Sequence, residues 1–351
     1  MRKITSLLLL PLVFTLSGCN NNASPSQKQH FKLWNECDSL TTLKAFVEDV
    51  TNEKSKNYIP VEDRIATFDM DGTFIGELYS TYFEYNLLEY RVIDDPNYKD
   101  IAPEEVRTAA QNIRDFVRDG VALPDHFDMI HANAAAKAYA GMSLAEFDKY
   151  VNDYATTPAN GFTGMTYAES FYKPMLEVFD YLEDYDFTFY VVSGSDRFIC
   201  RSLVESLGIE PNRVIGMDVV LASSEQGENE GVNYTMNKDE YLIRTDELII
   251  KNLKTNKVKQ ISQEIGKVPV LSFGNSSGDS AMHNYCLGNN KYKSEVFMLV
   301  ADDNLRDHAD LKEGQRREAI WRESNYNIIS MKNDFKTIYG ENVTKVDFNF
   351  A

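Results

Sequence analysis

The chain has 351 residues, of which 43% are hydrophobic, and a formal net charge of -18. Its length predicts a core domain with an insertion, and its hydrophobic content is sufficient for a packed interior. The acidic excess argues against a nucleic-acid partner, because binding a polyanion depends on Lys and Arg side chains that neutralise phosphates. A small phosphorylated ligand remains compatible, since a bound divalent cation reverses the local field.

The amino terminus has the pattern of an export signal. Two basic residues precede an apolar stretch from Leu7 to Leu16, which is too short to span a bilayer. It ends in LSGC, which is similar to the bacterial lipobox, and this resemblance implies cleavage before Cys19 and acylation of that residue, for example with palmitate. We expect a signal peptide over 1–18, a lipidated tether over 19–36, and a membrane-anchored protein that faces the periplasm or the cell surface. The alternative is a secretory signal with an incidental cysteine.

Three further cysteines, Cys37, Cys200 and Cys286, follow the signal. Three is an odd number, so the chain does not predict a disulfide framework even in an oxidising compartment. None of them has metal-ligand spacing, and we expect buried thiols.

Hydrophobic periodicity predicts an α/β fold with an inserted helical domain. A strand ends at Phe68, and about 110 residues with mainly helical signals follow it, including a capping box that begins at Ser143. Strands over 217–250 surround an acidic, Gly-containing loop and predict an antiparallel extension. We therefore expect a doubly wound parallel sheet with a small antiparallel extension. The predicted core covers 37–77 and 162–351, and the predicted cap covers 78–161.

The segment FDMDGTF follows the first predicted strand of the core. Asp69 and Asp71 are two residues apart, so their side chains lean the same way at the carboxyl end of a strand, where ligands bind in open parallel sheets. Gly72 allows a sharp turn behind them. An acidic strand-to-turn junction without chemistry is the simpler alternative.

Three later segments follow the same rule of polar residues at strand ends or helix starts. Ser193 and Gly194 come after the apolar run 187–192, and Lys257 lies near the start of a predicted helix. The sequence GNSSGD, which contains Asn275 and Asp279, comes after the run 268–273.

These four segments, in this order, resemble the motifs of the haloacid dehalogenase superfamily. The position of the cap resembles the phosphoserine-phosphatase-like branch, and segments from Trp34 to Gly340 are similar to a group of exported bacterial members. The resemblance implies that Asp69 is a nucleophile and Asp71 an acid/base. It also implies that Ser193 and the adjacent Gly194 contact the phosphoryl group.

The same resemblance implies a catalytic lysine and a Mg²⁺ site. Lys257 is the candidate lysine, although three other lysines lie nearby. The metal ligands would be Asp69, the backbone carbonyl of Asp71, and the fourth motif. There the chain departs from the usual pattern, because Asn275 stands where an Asp is common, so we assign Asn275 and Asp279 jointly. An amide oxygen can ligate a hard cation.

The implied function is a lipid-anchored, Mg²⁺-dependent phosphomonoesterase that acts on a small phosphorylated metabolite. Phosphoserine-like or phosphorylcholine-like substrates are compatible, with Glu77 as a substrate contact. Aromatic residues early in the cap would suit a cage for a quaternary ammonium group. These aromatic residues are Tyr79, Tyr82, Phe83, Tyr85 and Tyr90.

The alternative functions are a binding lipoprotein without catalysis, a phosphonate hydrolase and a phosphomutase.

The lipobox interpretation predicts that Cys19→Ser releases the protein from membranes or leaves its precursor uncut. Acyl chains provide roughly 0.8 kcal/mol of membrane affinity per buried CH₂, so their loss removes the anchor. The measurement is the distribution of the protein between membrane and soluble fractions, with Cys37→Ser as the control that stays bound. Unchanged membrane fractionation of Cys19→Ser would show that another feature holds the protein there.

Overall fold

The computed structural model describes residues 29–288 and 290–350. Cys19 and the predicted signal peptide lie outside these residues. The strands alternate with helices along most of the chain, which is the pattern of a parallel sheet with crossover connections. The strands are β1 (Ile65–Phe68), β2 (Phe162–Thr163), β3 (Thr188–Asp196), β4 (Val214–Ser223), β5 (Leu242–Ile250), β6 (Leu271–Gly274), β7 (Glu295–Val300), β8 (Asn327–Ser330) and β9 (Thr344–Lys345).

Seven of these strands form one sheet in the order β5-β4-β3-β1-β6-β7-β8. All neighbours pair in parallel except β4 and β5, which are antiparallel. The predicted fold class, a doubly wound parallel sheet with an antiparallel extension, is confirmed. Phe68 at the end of β1 pairs with Val191 on one side and Phe273 on the other. The register therefore brings the segments that follow β1, β3 and β6 to one edge of the sheet.

Four helices between Phe83 and Ala155, which are named α2 to α5 in the list that ends this paragraph, lie within the range predicted for the cap. The capping box at the start of α5 is present, because the Ser143 side chain accepts from the Glu146 N–H and the Glu146 side chain accepts from the Ser143 N–H. The helices are α1 (Asp38–Thr51), α2 (Phe83–Glu89), α3 (Glu104–Asp119), α4 (Phe127–Ala138), α5 (Leu144–Ala155), α6 (Lys173–Asp184), α7 (Arg197–Val204), α8 (Thr255–Glu264), α9 (Ser280–Gly288), α10 (Leu311–Glu323) and α11 (Met331–Asp334).

Aromatic rings fill the centre of the core beneath the candidate motifs. Phe68 stacks on Phe273 with ring centroids 4.3 Å apart, and Phe273 stacks on Phe297 at 4.9 Å. Phe179 and Phe189 stack on each other at 4.4 Å and meet Phe68 edge-on. Such pairs stabilise the packed core beyond the burial of area alone. Phe68, the residue before Asp69, is thereby packed against side chains of both neighbouring strands, β3 and β6.

The predicted tether is too long at its carboxyl end. Phe31 and Trp34 are buried, and the Trp34 indole N–H donates to the Pro174 carbonyl at 2.8 Å. Trp34 also packs edge-on against Phe335. Large aromatic side chains are buried where they can satisfy their polar atoms, so these two residues belong to the core domain.

Residues 78–161, predicted as the cap and called the cap below, pair with the free edge of β5. The N–H of Gly141 donates to the Arg244 carbonyl at 2.8 Å, and the Arg244 N–H donates to the Met142 carbonyl at 2.9 Å. The fully buried Arg244 side chain binds Asp196 of β3 at 2.6 Å and lies 3.9 Å above the Phe147 ring of α5. Within the described residues, we find no helix that is both long and apolar enough to cross a membrane.

Candidate functional site

A cavity of ≈ 160 Å³ lies at the carboxyl ends of the central strands, between the core and the cap. The core contributes residues from the segments after β1, β5 and β6, from the last residues of β3 and from the start of α8, and the cap contributes residues from α2 and α4. This is the expected ligand position in an open α/β sheet. The lining residues are Asp69, Asp71, Glu77, Tyr82, Glu84, Tyr85, Asp128, Gly194, Ser195, Lys251, Leu253, Lys257, Asn275, Ser276 and Asp279.

Lys257 links the first and fourth motifs. Its Nζ donates to Asp69 Oδ1 at 2.5 Å and to Asp279 Oδ1 at 2.6 Å, and its side chain is 1% exposed. Residue 257 lies on the first turn of α8 and lines the cavity. The structure thus distinguishes Lys257 from the neighbouring lysines, because it is the one that contacts Asp69.

The charges of this triad are strongly perturbed. Burial disfavours the Lys257 cation, but Asp279 and Asp69 outweigh it and raise the pKa of Lys257. Burial and the negative charge of Asp279 raise the pKa of Asp69 to about 7, although Lys257 opposes this shift. Burial likewise disfavours the Asp279 carboxylate, but Lys257 and the backbone N–H of Ser276 hold the pKa of Asp279 below its ordinary value. Asp279 is therefore the more readily ionised of the two carboxyl groups that contact Lys257.

Asp71 is oriented by a serine that the motif comparison did not select. Ser195 Oγ donates to Asp71 Oδ2 at 2.7 Å. Burial raises the pKa of Asp71 to about 6, and the hydrogen bond from Ser195 limits the rise. A carboxyl group with such a pKa is suited to proton transfer near neutral pH.

Ser193 does not line the cavity. It is fully buried, and its Oγ accepts from the Ser195 N–H at 3.0 Å. Gly194, which was predicted together with Ser193, lines the cavity, and so does Ser195. The two serines are two residues apart on an extended strand, so the sequence pattern alone does not distinguish them.

Glu77 and Asn275 meet above the turn at Gly72. Asn275 Nδ2 donates to Glu77 Oε1 at 3.0 Å, and burial raises the pKa of Glu77 to about 8. Gly72 has φ of 72°, and a Cβ there would lie 1.9 Å from Asn275 Nδ2. Glycine is therefore required at this turn for both conformation and space.

The oxygen donors at this end of the cavity fit a hard cation with few protein ligands. Asp69, the carbonyl of Asp71 and the amide of Asn275 are the candidates. Asp279 is less available, because its Oδ2 accepts from the N–H groups of Asn275 and Ser276 while Oδ1 accepts from Lys257. Within residues 29–288 and 290–350, no three His, Cys, Asp or Glu side chains converge as metal ligands. One carboxylate with neutral oxygens, water and substrate phosphate is a donor set that Mg²⁺ accepts.

The cap places two aromatic rings in the cavity wall. Tyr82 and Tyr85 have ring centroids 5.4 Å apart and planes at 73°. Tyr79 and Phe83 are buried in the core, and Tyr90 lines a separate cleft. The set of five aromatic residues considered from the sequence is thus reduced to a pair at this site.

Glu84 and Lys251 also line the cavity, and sequence reasoning gave neither of them a role. Lys251 Nζ donates to Glu84 Oε1 at 2.8 Å, although the two residues are 167 positions apart. Both side chains are buried. No local motif could have found this pair, because it joins the cap helix α2 to the segment after β5.

Comparisons with known proteins give the fold but no function. No family model and no curated protein matches the chain. A functionally unknown protein from Anaerococcus prevotii has a TM-score of 0.51 at 15% identity, over 91% of this chain and 98% of that chain. Cytosolic 5'-nucleotidase IIIB bound to cytidine has a TM-score of 0.47 at 11% identity, over 90% and 91%. A phosphoserine phosphohydrolase-like protein from Francisella tularensis has a TM-score of 0.40 at 13% identity, over 76% and 94%. The first likeness shows a common fold across nearly the whole of both chains.

Gly72→Ala is expected to destabilise the protein by more than Gly120→Ala. Both glycines have similar φ values, 72° and 67°, but a Cβ at Gly120 meets nothing within 4 Å. Each substitution costs about 1–2 kcal/mol for the left-handed backbone, and only Gly72→Ala also displaces Asn275 and Glu77. The measurement is the free energy of unfolding in urea. Equal losses would mean that the two side chains move aside without cost.

Proposed function

We propose that the protein is a phosphomonoesterase of the haloacid dehalogenase type, with Asp69 as the nucleophile. The observation that carries the proposal is the contact of Lys257 with both Asp69 and Asp279, on a cavity that also holds Asp71. This arrangement combines a carboxylate nucleophile, a fixed cation and a second carboxyl group. It is a combination that phosphoryl transfer needs and that a simple binding pocket does not.

The proposed reaction has two steps. Lys257 holds Asp69 Oδ1, and Oδ2 attacks phosphorus while the bond from phosphorus to the alcohol oxygen breaks and Asp71 gives that oxygen a proton. Water then attacks the phosphorus of the aspartyl phosphate, Asp71 takes the proton from the water, and the bond to Asp69 breaks. Ser195 fixes the Asp71 carboxyl group in both steps. Proton transfer of this kind contributes about 10²- to 10⁴-fold to the rate.

The site requires further positive charge, because a phosphate dianion must approach several carboxylates. Asp69, the Asp71 carbonyl and Asn275 would hold Mg²⁺, which supplies electrostatic stabilisation of the phosphoryl oxygens when bound. Lys257 is already shared between two carboxylates, and Lys251 is paired with Glu84. Neither lysine alone offsets the repulsion between the carboxylates and the phosphate dianion.

We propose a small substrate whose alcohol portion lies against the cap. The pair Tyr82 and Tyr85, with Asp128 beside them, supports a cationic or hydroxylated group, as in phosphorylcholine-like or phosphoserine-like esters. Glu77 is held by Asn275, so its contribution to this contact is indirect. Export and a lipid anchor on Cys19 remain part of the proposal, and they rest on the sequence alone.

Asp69→Asn is expected to abolish hydrolysis of p-nitrophenyl phosphate while the protein stays folded. The amide keeps the shape of the carboxylate and removes the nucleophile, and the wild-type protein should require Mg²⁺. The measurement is p-nitrophenol release with and without Mg²⁺, beside the exposed substitution Asp186→Asn as a control. A wild-type protein without turnover would favour a binding function, and an active Asp69→Asn variant would exclude the covalent route.

Asn275→Asp is expected to lower the Mg²⁺ concentration needed for half-maximal binding several-fold. The added negative charge attracts the cation in a partly desolvated site, where electrostatic effects outweigh small changes of shape. Calorimetric titration of Mg²⁺ measures this without turnover. Asn284→Asp on α9 adds the same charge at an exposed position and should leave binding nearly unchanged. Equal affinities in the wild-type protein and both variants would remove Asn275 from the ligand set.

A further inference from the structure

Glu84 is a cap residue whose carboxylate reaches into the core. It lies on α2, and its side chain is 6% exposed. Oε1 accepts from Lys251 Nζ at 2.8 Å, and Oε2 accepts from the backbone N–H of Asp196 at 3.3 Å. One carboxylate therefore bonds to two core segments, the end of β3 and the residue that follows β5.

The charge of Glu84 is balanced by Lys251. Burial opposes ionisation of Glu84, but the adjacent positive charge of Lys251 holds the pKa of Glu84 below its ordinary value. Burial lowers the pKa of His131 to about 4, so its ring is neutral at pH 7 and Lys251 supplies the positive charge. A buried ion pair of this kind is weak evidence for stability, because desolvation costs about as much as the attraction returns. Its position at the cavity points to another role.

The end of β3, which carries Ser195, is fixed on both sides of that residue by Glu84 and by the neighbour of Lys251. Glu84 binds the N–H of Asp196, which directly follows Ser195. Asn252, which directly follows Lys251, donates from Nδ2 to the Ser193 carbonyl at 2.9 Å. Ser195 lies between these two contacts, and its hydroxyl orients Asp71. The cap carboxylate is thus two contacts away from the group that transfers the proton.

We propose that Glu84 is a positioning residue, which holds the end of β3 at Ser195 and thereby aligns Asp71 for proton transfer to the leaving group. This inference rests on the proposed phosphatase function. It makes the alignment of Asp71 depend on the docked cap, although the cap contributes no group to the proton transfer itself. A misplacement of about 1 Å in a reacting group can lower a rate by about 10²-fold.

The test compares two esters that differ in their need for a proton. p-Nitrophenolate is a good leaving group and needs little protonation, whereas the alcohol of glycerol 2-phosphate is a poor one. Glu84→Gln keeps the shape of the side chain but replaces one carboxylate oxygen by an NH₂ group. This donor then faces another donor, either Lys251 Nζ or the Asp196 N–H. We expect kcat/KM for glycerol 2-phosphate to fall by about 10- to 100-fold, with a much smaller loss for p-nitrophenyl phosphate.

Glu89→Gln is the matched control on the same helix. Glu89 is also buried and forms an ion pair, but its partner is Arg114 of α3 at 2.8 Å, within the cap. Loss of the ion pair between Glu89 and Arg114 should change the stability of the protein without changing the ratio of the two kcat/KM values. Ser195→Ala should reproduce the altered ratio, and combining it with Glu84→Gln should add little, because both act on the same proton transfer.

Three outcomes would overturn the inference. If the wild-type protein hydrolyses neither ester, the proposed function is contradicted and this inference is contradicted with it. If the wild-type protein is active but Glu84→Gln and Glu89→Gln give the same ratio of the two kcat/KM values, the positioning role alone is contradicted. If Glu84→Gln does not fold, the double variant Glu84→Leu with Lys251→Met replaces the ion pair by apolar side chains, which proteins often tolerate. An unaltered ratio in that variant also contradicts the role.

Discussion

The contact of Lys257 with Asp69 and Asp279 is the interaction on which the site depends. Without Lys257, the buried carboxylates of Asp69 and Asp279 would repel each other. Without the two carboxylates, the buried Lys257 cation would have no partner, which is equally unfavourable. Each charge is tolerated because the others are present. Asp69 directly follows β1, Lys257 lies at the start of α8, and Asp279 directly precedes α9. Correct packing of the sheet and correct pairing of these charges are therefore one structural requirement.

Residues at strand ends could be predicted from sequence because the sheet dictates where they meet. Asp69, Asp71 and Asn275 follow apolar runs, and parallel pairing brings such residues to one edge. Lys257 could be located only approximately, because four lysines lie within nine residues and propensity does not distinguish them. The choice is made by burial against Asp69.

Ser195 and Glu84 could not have been found in the same way. Ser193 and Ser195 share one face of β3, and the choice between them depends on where the backbone passes the cavity. Glu84 lies on a short helix whose sequence gives no sign that its carboxylate leaves the cap. Its partner is 167 residues away, and such pairs follow from the tertiary fold alone. The tether prediction failed for a related reason, since Trp34 is buried by contacts with Pro174 and Phe335.

The pairing of β1 has a consequence for the order of folding. Ile65 pairs with Thr188 and Ala66 pairs with Leu271, so the central strand has no neighbours until more than half of the chain has been synthesised. Contacts between such distant segments form slowly, because long loops must close first. Until then Asp69 has neither its sheet nor its lysine. A nascent chain of this topology therefore stays unfolded for longer than one whose contacts are local, and its acidic site residues stay exposed to water for the same time.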